Sequence, residues 1–244
     1  MSLHSKLCLI IIIFVINKNS LGEHVQELIQ ILNQDIDEMT NYNHAFKYPF
    51  VASEILSNTN EKISNKLFEN KPNSNISNVF DLISILKKSN IKNTPILGYI
   101  HKILCSHINA SRIFLEHIFP FIDSIYPLFV DNIEDFLYRE ILLVFLEKGI
   151  TDENEDIQSK FVSLYESISH LFWNYYHEDN KKEKLFGIAY LIFSLCKCDH
   201  HIIKITIERG FLDRIFCLLE ELPDNFSDFI FDYLKIMIDL FANF

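Results

Sequence analysis

The densest group of reactive side chains is "CKCDHH", residues 196 to 201, which places Cys196 and Cys198 beside His200 and His201. Thiolates and imidazoles at short spacing are zinc chemistry, and zinc asks for four ligands in a tetrahedron. C-x-C followed at once by D-H-H is not a finger spacing, and no second ligand cluster follows it. The stretch reads better as a helix end, with Cys196 buried as a small hydrophobe and Asp199 capping the next helix. His101 and Cys105 stand at i, i+4, a spacing that brings an imidazole against a thiol on one helix face. Nothing supplies that pair with an orienting acid or an oxyanion donor. His107 and His117 fall on helical stretches with no nucleophile beside them. G-x-x-x-x-G-K, G-x-G-x-x-G, H-E-x-x-H and G-x-S-x-G are all missing. The expectation is a protein that is not an enzyme, with no catalytic residues, no metal and no cofactor.

One carboxylate sits in a very different setting. "HAFKYPFVASEIL", residues 44 to 56, holds aromatics, a proline and branched apolars around Glu54. A helical wheel begun at Pro49 gathers Val51, Ala52, Ile55 and Leu56 into an apolar arc. It sets Ser53 and Glu54 opposite, with Phe50 between. The Tyr48-Pro49 step sets the helix start, because proline is welcome at the first position. Tyr48, Phe50 and Glu54 are therefore the candidates for partner binding, and a helix nucleus that only packs is the competing reading.

The elements that must position these residues are helical. Among 244 residues, 49% are apolar and 22 are Phe, enough for a sizeable core. Gly numbers 5 and Pro 6, so the turns that strands need are poorly supplied. A formal charge of −11 argues against a nucleic-acid grip. Lys87–Lys88 and Lys181, Lys182 and Lys184 read as solvated helix ends. The 5 cysteines are odd in number and irregular in spacing, which suggests no disulfide framework.

Apolar residues recur at helical spacing almost throughout. Val25, Leu28, Ile29, Leu32 and Ile36 share one face, and so do Val79, Leu82, Ile83 and Leu86. Thr94 and Pro95 open a helix as N-cap and first residue. Ile133, Phe136, Leu137, Ile141, Val144 and Phe145 are expected inward on a helix stopped by Lys148 and a glycine C-cap at Gly149. Beyond a polar hinge near 150–157, helices are expected near 157–176, 182–197, 200–209, 211–222 and 226–243. The helix–Gly210–helix step, with a leucine-rich second helix, is typical of armadillo and HEAT-type units. The fold class is thus all-α, an irregular armadillo/HEAT-like helical repeat array, or α-solenoid. One helical-repeat domain is expected over 22–244. Residues 1–21 contain "LCLIIIIFVI", ten apolar residues that are too few to span a bilayer. They read as a buried first helix or as a signal peptide. Sequons at Asn75, Asn109 and Asn225 matter only if the chain is secreted.

"KYPFVASEIL" resembles the Y-P-x-V-A-x-E-I-L signature of the SAPS-domain family, the regulatory subunits of protein phosphatase 6 and its yeast Sit4-type counterpart. Tyr48, Pro49, Val51, Ala52, Glu54, Ile55 and Leu56 fall on that pattern. "ISNKLFEN" is similar to the next family stretch through Ile63, Leu67 and Glu69. "NTPILGYIHKIL" resembles a third through Pro95, Leu97, Gly98, Tyr99 and Lys102, with one residue fewer between proline and glycine. "FIDSIYPLFVDNIEDFL" resembles a fourth through Phe121, Ile122, Asp123, Ile133, Asp135 and Leu137, again one residue short. The blocks come in the family's order and cover roughly residues 22 to 148. The resemblance implies a non-catalytic regulatory scaffold that binds a Ser/Thr protein phosphatase catalytic subunit of the protein phosphatase 6 type. It implies the cytoplasm as the location, with the nucleus as a second compartment. Metals and hydrolysis would belong to the partner. Nucleic acid and membrane are not expected as partners. The competing expectations are a secreted or luminal helical protein and an armadillo-like adaptor with an unrelated partner.

Overall fold

The structure is a computed structural model that describes residues 24–34, 46–69, 77–88, 95–176, 182–198 and 200–208. All regular structure among the described residues is helical. The order is α1 (Val25–Leu32), α2 (Tyr48–Leu56), α3 (Glu61–Phe68), α4 (Val79–Leu86), α5 (Pro95–Ala110) and α6 (Ile113–Ile118). A 3-10 turn at Phe119–Phe121 leads to α7 (Ile122–Asp131), then α8 (Phe136–Ile150), α9 (Glu155–Tyr176), α10 (Lys182–Cys198) and α11 (His200–Glu208). The chain divides into two compact units, Met1–Ile125 and Tyr126–Phe244.

In the first unit α1 packs on α2 and α3, α2 on α5, α3 on α6, and α5 on α4 and α6. The expected face of α1 is buried at Val25, Leu28, Ile29 and Leu32, and that of α4 at Val79, Leu82, Ile83 and Leu86. Ile36 lies outside the described residues. Pro95 opens α5 as expected, while its supposed cap, Thr94, is outside them. Asn60 begins α3 by accepting a hydrogen bond from the Lys62 N–H at 2.9 Å, which satisfies an orphan donor of the first turn. The centre of this unit is aromatic. Phe68 meets the ring of Phe114 edge-on at 5.5 Å and stacks on His117 at 5.5 Å.

In the second unit α8, α9 and α10 pack on one another, and α11 packs on α10. Asp135 caps α8 by accepting from the Leu137 N–H at 2.8 Å. The inward face of α8 differs from the expected one. Tyr138, Ile141, Leu142, Phe145 and Leu146 are buried, whereas Phe136 is exposed and Leu137 and Val144 are half-buried. The expected face counts from Ile133, which precedes the cap and is buried from the loop. The helix therefore starts at a different phase.

Gly149 also differs from its expected role. It lies inside α8, which runs on to Ile150 with Thr151 as C-cap. A Cβ built there would fall on the ring of Phe161 in α9. The glycine permits close packing of α8 on α9 and does not end the helix. The polar stretch near 150–157 is a short turn, and Asn154 caps α9 by accepting from the N–H groups of Asp156 at 3.0 Å and Ile157 at 3.2 Å. Gln158 ties α9 back to the end of α8 by donating to the Ile150 carbonyl at 3.0 Å.

The helical stretch Ile113–Asp131 is, by length and composition, apolar enough to cross a membrane. It also buries Phe114, Leu115, Ile118, Ile122, Ile125, Phe129 and Val130 in protein, as core helices do. The expected helices at 211–222 and 226–243, and the segment 1–21, lie outside the described residues.

Candidate functional site

The site grows out of the start of α2. Pro49 occupies the first turn, where its missing N–H costs nothing. Tyr48 is 6% exposed and turns into the core with Ala52, Ile55 and Leu56. Its place is in the packing, so it is not a surface that a partner could touch. Ser53 corrects the helical wheel, because it is fully buried and not opposite the apolar arc. Its hydroxyl donates to the Phe50 carbonyl at 2.7 Å, and that satisfied bond is what makes burial tolerable. Phe50 is 49% exposed and Glu54 is exposed, as the wheel places them.

Across from them runs α5. The Phe50 and Tyr99 rings meet edge-on, with centroids 6.2 Å apart. The Lys102 ammonium donates to the Glu54 carboxylate. Gly98 is one turn before Lys102 on the same face, and a Cβ there would meet nothing within 4 Å. The result is a small aromatic surface with an ion pair at its edge and open space over Gly98. Outside the family resemblance, nothing in the spacing of residues joins Tyr99 and Lys102 to Phe50 and Glu54.

His107 locks the other end of the same helix pair. It is fully buried, with Nε2 2.7 Å from the Leu56 carbonyl and Nδ1 3.4 Å from the Ser64 hydroxyl. A carbonyl only accepts, so Nε2 carries the proton and Nδ1 accepts from Ser64. Burial lowers the imidazole's pKa, and the bond to Leu56 opposes that shift in part. The neutral ring ties the end of α2 to α5 and α3, and it meets Phe68 edge-on at 5.9 Å. In the sequence His107 is indistinguishable from the other scattered histidines.

The patch has chemistry for recognition, not for bond-making. An aromatic anchor and an ion pair are what protein surfaces use to bind one another. The Glu54–Lys102 pair itself is half in water and contributes modestly. A double-mutant cycle with Glu54→Gln and Lys102→Met is expected to show coupling of about 0.2–1 kcal/mol. The coupling should fall as salt rises from about 0.05 to 0.5 M, because screening shortens the reach of exposed charges. Coupling that is larger and independent of salt would mean the pair is desolvated.

The other stretches with reactive groups are built differently. Cys196 is buried as expected, and its Sγ lies 3.6 Å from the Thr206 hydroxyl. Thr206 also bonds Tyr165 at 2.7 Å and donates to the Ile202 carbonyl at 2.7 Å. Burial holds the Tyr165 hydroxyl well above its ordinary pKa, so it stays protonated. Asp199 and the side chains of Cys198, His200 and His201 lie outside the described residues. Among the described residues no three His, Cys, Asp or Glu side chains are grouped to hold a metal ion.

In comparisons with family models, with curated proteins and with solved structures, nothing matches this chain.

Proposed function

We propose that the chain is a non-catalytic regulatory scaffold, an irregular armadillo/HEAT-like array that binds the catalytic subunit of a Ser/Thr protein phosphatase in the cytoplasm. The observation that carries this reading is the pairing of two separate sequence blocks. Residues 48–56 carry the most specific part of the family resemblance, and residues 95–102 carry a later block of it that counts in series with the others. The two stretches pack as α2 on α5, and they touch through Phe50–Tyr99 and Glu54–Lys102. Phe50, Tyr99, Glu54 and Lys102 form the proposed contact surface. Tyr48 supports it from the core.

The test is capture of the tagged full chain from its own cell lysate, with mass spectrometry of what is retained. Stoichiometric recovery of a phosphatase catalytic subunit is expected. Phe50→Ala combined with Glu54→Ala should reduce recovery about tenfold or more, as loss of an interface anchor does. Both side chains are largely exposed, so far-UV circular dichroism should keep its helical signature, and the urea midpoint should fall only by the modest amount that the lost Lys102 pair and Tyr99 ring contact contribute. Recovery of other proteins without a phosphatase would leave a helical adaptor. Unchanged phosphatase recovery by a folded double variant would remove the patch from the interface.

A further inference from the structure

We draw no further inference here: the strongest candidate, the acidic turn between α8 and α9 that sets Asp152, Asn154 and Asp156 at the alternate positions of a cation-binding loop, carries nothing, because Asp152 and Asn154 accept hydrogen bonds from the turn's own backbone N–H groups and no second feature among the described residues points to a cation there.

Discussion

Gly187→Ala should destabilise the second unit by about 1–3 kcal/mol, the range for forcing a methyl group into a packed interior. The cause is backbone, not side chain. A Cβ at position 187 would press on the carbonyl of Ile133, whose carbonyl carbon would lie 3.0 Å away. That carbonyl also accepts from Arg139, so it is held from two sides. Lys184, three residues earlier on α10, donates to the Asp131 carbonyl at 2.6 Å and fixes the same loop. The loop cannot retreat without losing those bonds. Gly149→Ala should cost a similar amount, because its Cβ would meet the buried ring of Phe161. Gly98→Ala is the control. It has open space, so it should stabilise the first unit by about 0.5–1 kcal/mol through helix propensity alone. Urea midpoints of the three variants would check this. A Gly187→Ala midpoint equal to or above that of the unaltered chain would mean the contact between α10 and the loop has room to spare.

These glycines show where the sequence is legible and where it is not. Every glycine reads alike in a sequence, as a break or a cap. Whether it marks close approach depends on which helix packs opposite, and that is a tertiary fact. The Lys148–Gly149 step has the composition of a helix stop, yet α8 continues because Phe161 needs the room. The faces of α1 and α4 are legible because each short helix carries one clean apolar stripe. The face of α8 is not. Its apolar residues run nearly all round, so the phase has to come from the N-cap, and nothing local marks Asp135 over Asp131 as that cap. Tyr138 and Arg139 are both buried there, and neither counts as apolar when a stripe is traced.

The site divides in the same way. Exposure of Phe50 and Glu54 follows from one helix and its wheel. The wheel contains nothing about α5, so Tyr99 and Lys102 can be named from the sequence only as parts of a second block. Ser53 is polar and reads as outward, but a serine can go inward when its hydroxyl bonds back to the carbonyl one turn earlier in its own helix.

His107→Ala should destabilise the first unit by about 2–4 kcal/mol, the sum of a cavity and an acceptor stripped of its donor. The ring is fully buried, and the Leu56 carbonyl belongs to the last turn of α2, where helical partners run out. His107→Gln should lose less, since its amide can still donate. The histidine should also give stability a pH dependence of known sign. Burial holds its folded pKa below the ordinary 6.5, so the folded state favours the neutral ring. Above about pH 6.5 neither state is protonated, and the contribution of the ring is complete. As pH falls below that value the unfolded chain takes up a proton first, and stability drops by up to about 1.4 kcal/mol per pH unit. The drop continues until pH reaches the lowered folded value. Protonation would put an N–H on Nδ1, where Ser64 now donates, and a cation beside Phe68 in the core. Urea midpoints at pH 7.5 and 5.5 should therefore differ more for the unaltered chain than for His107→Gln. Equal differences would place the pH sensitivity in other groups and leave His107 as a packing residue only.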